Sequence, residues 1–197
     1  SHGLPALCAL YGEMSEHYPD EDWDALGHQY MKRIGEQINQ NGFSSLSMFT
    51  GLTGVALAAV CLSKEGKRYQ KFIANINIVI EEKMEEIITN LKQKSYPNMD
   101  DYDAISGVAG IAGYCLLFPE EMKKTITLIL KYIIDLSQDK EMEDLRIPGW
   151  YILPEHAFSE REKRNWPSGF INIGLSHGIP ALLIVLCNAK KLNIYMD

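Results

Sequence analysis

Apolar residues fall into two kinds of segment along this chain. In the first kind they step by three and four: Trp23, Leu26, Tyr30, Ile34 and Ile38; Ile73, Ile76, Ile80, Met84, Ile87 and Leu91; Met122, Ile126, Ile129 or Leu130, and Ile133. Glu, Lys, Asn and Gln fill the opposite positions, which predicts three amphipathic helices with one buried stripe each. In the second kind, Ala, Gly, Leu, Val and Cys follow Gly3, Gly54, Gly107 and Gly178 with almost no polar face. Such segments predict helices enclosed by other helices. Pro5 and Pro180, two residues after the first and last of these glycines, suit the first turn of a helix, where the missing N–H costs nothing.

The second kind of segment repeats. Ser1-His2-Gly3-Leu4-Pro5-Ala6-Leu7 returns as Ser176-His177-Gly178-Ile179-Pro180-Ala181-Leu182, and weaker copies begin at Leu52 and Ile105. The marked glycines are 51, 53 and 71 residues apart, so the third interval carries an insertion. Alternating enclosed and amphipathic helices with a period of about fifty residues predict a two-layer α/α ring or superhelix. We read residues 1–197 as one domain with an insertion at 137–172. The glycines are expected to let enclosed helices crowd towards a common axis. In the insertion, Trp150-Tyr151-Ile152-Leu153 reads as a strand, Pro148, Pro154 and Pro167 punctuate it, and Ser159 to Arg164 reads as a short charged helix.

With 197 residues, 46% of them hydrophobic, the chain has enough apolar material for a real core. The net charge of −7 and the lack of a basic run argue against a nucleic-acid surface. The longest apolar stretch, Ile105 to Phe118, is too short to span a bilayer and contains three glycines. Cys8, Cys61, Cys115 and Cys187 are too widely spaced for a zinc ribbon or a redox pair, and read as reduced, buried thiols of a cytoplasmic protein.

One motif invites a sharper reading. Gly174-Leu175-Ser176-His177-Gly178 satisfies G-x-S-x-G, the nucleophile elbow of serine hydrolases. A triad in the usual chain order then needs an acid and a histidine after Ser176, and the only histidine beyond it is His177. The recurrence of Ser-His-Gly in the first copy also assigns the motif to the repeat. The elbow is therefore architectural.

Taken in order, Tyr102-Asp103-Ala104-Ile105-Ser106-Gly107-Val108-Ala109-Gly110, then Pro148-Gly149-Trp150-Tyr151, then Gly174-Leu175-Ser176-His177-Gly178 resemble the lanthionine synthetase C family, the cyclases of lantibiotic biosynthesis. Ser1 to Met14 and Phe49-Thr50-Gly51-Leu52-Thr53-Gly54 resemble its earlier repeats, so the resemblance spans nearly the whole chain. The stretch Gly149 to Gly178 resembles the stand-alone cyclases more than the cyclase domains of fused synthetases.

The resemblance implies an all-α fold: an α/α toroid, here a partial ring, with an insertion containing short β strands. It implies closure of lanthionine and methyllanthionine thioether rings, in which a peptide cysteine thiolate activated by zinc adds to dehydroalanine or dehydrobutyrine and the resulting enolate is protonated. His177 matches the family's active-site histidine, a proton donor or acceptor, and Asp103 matches its active-site aspartate, orienting a group or sharing the proton work. Each precedes the glycine of an enclosed helix, so the two are expected at the same end. His2 has the same local sequence as His177, but the family places its catalytic histidine only in the later copy. From position alone, a histidine at the start of an enclosed helix is more often a structural residue, and Asp103 ahead of a helix reads as a cap.

The family's zinc ligands, a cysteine and a later Cys-His pair, have no match in this chain, and Cys187 fits no ligand motif. The expectation is that zinc serves the full-length enzyme, that this chain holds no metal ligand, and that a fragment without them is inactive alone. The implied partners are the lantibiotic precursor peptide and the dehydratase and transporter of a biosynthetic complex, which would bring the protein to a membrane without a span of its own. An incomplete ring predicts self-association through exposed apolar edges. Two other readings stay open: a helical-repeat scaffold that binds a peptide or protein without chemistry, and a toroidal glycosidase or terpenoid cyclase, for which no second acid to partner Asp103 can be named.

Overall fold

The computed structural model describes residues 3–194; His2 and the start of the first repeat copy lie outside them. Among the described residues are nine α-helices and one two-stranded antiparallel sheet: α1 (Leu4–His17), α2 (Trp23–Asn41), α3 (Leu52–Cys61), α4 (Gln70–Lys92), α5 (Met99–Tyr102), α6 (Val108–Cys115), α7 (Lys123–Leu136), β1 (Asp139–Met142), β2 (Leu145–Pro148), α8 (Glu160–Asn165) and α9 (Pro180–Lys191). The chain forms two compact units, residues 1–80 and 81–197, with the boundary inside α4.

In the first unit, α1 packs on α2 and α3. The predicted stripe of α2 is present, with Met31 and Ile34 buried and Trp23, Leu26, Tyr30 and Ile38 half-buried beside them. Tyr11 of α1 stacks on both Trp23 and Tyr30, with ring centroids 5.8 and 5.7 Å away. The core face of α4 departs slightly from the sequence reading: after Ile73, Ile76, Ile80 and Met84 it continues through Ile88 rather than Ile87. An i to i+4 step from Met84 keeps the side chain on the inner face, whereas i+3 turns it partly outward.

In the second unit, α6 packs on α5, α7 and α9. Both Ile129 and Leu130 of α7 are buried, so its apolar face is broader than a single stripe. The all-apolar segments divide into two classes. α3 and α6 are enclosed as expected, but α1 exposes Leu7 and Leu10, and α9 exposes Leu183 and Ile184. The expected self-association would draw on these positions.

The glycines behave differently from the crowding expected of them. A Cβ on Gly54 would lie 2.1 Å from the Met48 carbonyl oxygen, and one on Gly107 would lie 2.4 Å from the Asp103 nitrogen. Gly54 and Gly107 therefore let the enclosed helices α3 and α6 sit directly on the loops that lead into them, whereas a Cβ on Gly3 would meet nothing within 4 Å. Close approach between helices falls to an unmarked residue, Gly12 of α1, where a Cβ would meet the Cys61 carbonyl oxygen at 2.4 Å.

The insertion is ordered differently from its sequence reading. The hairpin is β1–β2, pairing Asp139 with Pro148 through Met142 with Leu145. Of the predicted strand at 150–153, only Ile152 pairs, in an isolated bridge to Phe170. Only Leu145-Arg146-Ile147 alternates apolar and charged; Asp139-Lys140-Glu141 is charged throughout, which is why the hairpin gave no strand signal. The short charged helix is α8, capped by Ser159, whose hydroxyl accepts the Glu162 N–H at 3.2 Å.

Candidate functional site

Asp103 follows the last residue of α5, a single turn opened by a capping box between Asn98 and Asp101. Lys94 fixes Asp101 in turn, its ammonium lying 2.7 and 2.8 Å from the two carboxylate oxygens. Asp103 is fully buried. Its Oδ1 accepts three backbone N–H bonds, from Ile105 at 3.0 Å, Ser106 at 2.7 Å and Gly107 at 2.9 Å. These donors precede the N-cap, Gly107, so the Asp103 side chain holds the loop that leads into α6, while its backbone carbonyl accepts the Gly110 N–H of the helix's first turn at 3.3 Å. Cβ-less Gly107 is what lets the backbone wrap this closely around Asp103.

His177 comes from a second loop, 172–179, which leads into α9. Asn172 organises this loop: its Oδ1 accepts the Gly174 N–H at 2.8 Å, and its carbonyl accepts the Ile179 N–H at 3.1 Å. A Cβ on Gly178 would sit 2.4 Å from the Asn172 oxygen and 2.5 Å from the Gly174 oxygen. Both glycines of the G-x-S-x-G pattern thus belong to a turn, not to an elbow between strand and helix. Ser176 contributes its carbonyl, which accepts the Ala104 N–H at 3.0 Å and ties this loop to the one carrying Asp103.

Across that tie the two sequence-predicted residues meet. His177 Nδ1 lies 2.5 Å from Asp103 Oδ2, and the His177 side chain keeps 39% of its surface exposed while Asp103 keeps none. A carboxylate can only accept, so Nδ1 carries the hydrogen and Nε2, at the far end of the ring, is left for other chemistry. The two oxygens of Asp103 therefore have separate tasks, one on the loop ahead of α6 and one on the imidazole. The sequence offered a cap and a catalytic partner as readings of Asp103; the side chain holds the loop ahead of α6 rather than its first turn, and its second oxygen lies on His177.

Two neighbours were not singled out from the sequence. Asp100, on α5, brings a carboxylate into the group: one donor atom each from Asp100, Asp103 and His177 lie within 4.8 Å of one another. Partial burial, and then the like charge of Asp103, hold the Asp100 carboxyl above the usual carboxylate range. Spacing of i and i+3 before Asp103 was a signal that could have found it. Phe158, from the insertion, stands edge-on to His177 with centroids 5.2 Å apart and planes at 79°. No local pattern around Phe158 points to that contact.

Asp100, Asp103 and His177 offer two carboxylates and an imidazole without a thiolate, and both oxygens of Asp103 are already engaged. Burial pushes the Cys8 thiol up to about 11 and the Cys115 thiol up to about 12, away from the thiolate a metal takes. Cys187 is exposed, against the expectation of a buried thiol, because it lies on the open side of α9. These residues do not fit a cysteine-and-histidine zinc site.

Comparison with known proteins agrees with this architecture. The chain is 27% identical over 191 residues to the nisin biosynthesis protein NisC of Lactococcus lactis subsp. lactis, covering 96% of this chain and 44% of that protein. A solved structure of nisin cyclase superposes with a TM-score of 0.87 at 26% identity, covering 100% of this chain and 48% of that one. The chain thus spans about half the length of these relatives, and its fold is of the α/α-toroid class expected from the sequence. A family profile, lanthionine synthetase C-like protein, matches residues 1–195, and the chain belongs to that family.

Proposed function

We propose that this chain is the part of a lantibiotic cyclase that handles protons during thioether closure, with His177 as the acid-base group and Asp103 as its orienting partner. The observation that carries the reading is the 2.5 Å contact of His177 Nδ1 with a fully buried Asp103. The substrate is a precursor peptide bearing a cysteine and a dehydroalanine or dehydrobutyrine. As the sulfur bonds to the β-carbon, the C=C electron pair moves onto the α-carbon and its carbonyl as an enolate. Nε2 takes the thiol proton and returns a proton to the α-carbon, so the addition is balanced without an oxidant or reductant.

Asp103 favours the imidazolium that exists between the two transfers and fixes which nitrogen faces the peptide. Since its Oδ1 is held by three backbone N–H groups, the carboxylate cannot follow a moving ring. Zinc, in this reading, serves the whole enzyme through donors that this chain does not carry, and the chain alone does not close rings.

The test is ring closure by the full-length protein on a dehydrated precursor peptide. Unreacted cysteines are counted by thiol alkylation and mass spectrometry. His177→Ala is expected to slow closure by about 10² to 10⁴-fold, the usual range for a lost acid-base group, and Asp103→Asn to slow it less. Closure at the parent rate in His177→Ala refutes the assignment. Peptide binding without closure in the parent protein favours a scaffold instead.

A further inference from the structure

Among the described residues the imidazole of His177 has one hydrogen bond, to Asp103, and it lies on a turn with 39% of its side-chain surface exposed. A half-exposed side chain held at one end keeps several rotamers within reach of solvent. Some other contact must confine it if Nε2 is to keep one direction. The insertion supplies that contact through Phe158, edge-on at 5.2 Å.

The segment carrying Phe158 is fixed at several points. Upstream, His156 Nδ1 lies 3.0 Å from the Pro97 carbonyl oxygen, in the loop that leads into α5 and Asp103. Downstream, the Phe158 N–H donates to Glu162 Oε2 at 2.9 Å while the Ser159 hydroxyl accepts the Glu162 N–H. This reciprocal pattern resembles a capping box moved one residue back, and it sets the backbone direction at Phe158. The bridge between Ile152 and Phe170 closes the base of the segment.

From this geometry we infer that Phe158 is a positioning residue, the wall that keeps the His177 imidazole on Asp103. The insertion thereby takes part in the site. Phe158 is itself 49% exposed, so it contributes little to the core. The inference rests on the proposed pairing of His177 with Asp103.

Histidine ¹⁵N and ¹H NMR of the whole chain reads the wall and the pair separately, with His177 assigned by signal loss in His177→Ala and folding checked by circular dichroism. The parent chain is expected to show the Nδ1–H tautomer, a strongly deshielded and slowly exchanging Nδ1 proton, and ring C–H signals displaced by the neighbouring aromatic. Phe158→Ala should lose both the displacement and the slow exchange. Phe158→Leu, which keeps bulk and cannot be mistaken for a folding failure, should lose the displacement and keep the slow exchange. Unchanged exchange in Phe158→Ala overturns the inference, as does unchanged displacement or Ala-like exchange in Phe158→Leu. Asp103→Asn tests the underlying pair: an Nδ1 proton that stays as strongly deshielded and as slow to exchange as in the parent sinks the pairing, even if the Phe158 variants still shift the ring signals.

Discussion

Asp103 allows a stability prediction whose size can be worked from its hydrogen bonds. In Asp103→Ala, three N–H groups ahead of α6, that of Gly107 buried and those of Ile105 and Ser106 part-buried, lose their acceptor, and His177 loses its partner. An unsatisfied buried donor costs about 1–3 kcal/mol, but the three share one oxygen and the loop can relax, so the loss expected is about 3–5 kcal/mol. Asp103→Asn keeps an oxygen for the three donors and loses the charge-assisted bond to His177, which is worth about 1.5–3 kcal/mol. His177→Ala removes the same bond from the other side and should fall near the Asn value. Urea denaturation followed by far-ultraviolet circular dichroism measures all three. The ordering is the test. If Asp103→Ala costs no more than Asp103→Asn, the triple-acceptor role of Oδ1 is wrong.

Three further outcomes follow from the same region. Asp100 has a raised carboxyl, so its contribution to stability is full below the ordinary carboxylate range and is lost as pH rises through its folded-state value; Asp100→Asn should therefore raise the melting temperature at neutral pH and leave it little changed in acid. Gly178→Ala would drive a Cβ against two backbone carbonyl oxygens at 2.4 and 2.5 Å, neither of which can swing aside as a side-chain tip could; thermal unfolding should show a loss of about 1–3 kcal/mol or more, together with loss of the deshielded His177 proton. Ser176→Ala should leave stability and ring closure close to the parent, because only its backbone carbonyl is used. A fluorophosphonate probe that labels the parent chain at Ser176 would contradict that.

The amphipathic helices were legible because the centres of their apolar stripes are buried: Ile80 and Met84 fully, as are Ile126 and Ile129, although α4 turns to Ile88 rather than Ile87. His177 and Asp103 were legible through motif resemblance. Their separation of 74 positions gave no local cue, and only the fold could bring them to bonding distance. The exposed sides of α1 and α9 were hidden for a related reason, since an all-apolar segment looks the same whether or not neighbours enclose it. Gly54 and Gly107 were correctly marked but given the wrong neighbour, because a missing Cβ signals close approach without saying to what. Phe158 could not be found at all: a contact made across an insertion depends on where the chain returns, and the pairing of Ile152 with Phe170 decides that.

The divided carboxylate of Asp103 bears on how this protein can change. A library screened only for folded expression would keep an acid at position 103 for the sake of the loop that leads into α6, although catalysis was never selected. Retention there cannot by itself be credited to chemistry, whereas His177 has no comparable second employment and is free to drift once turnover ceases to matter. A lineage that abandoned ring closure would be expected to lose the histidine first, leaving an aspartate as the relic of the site.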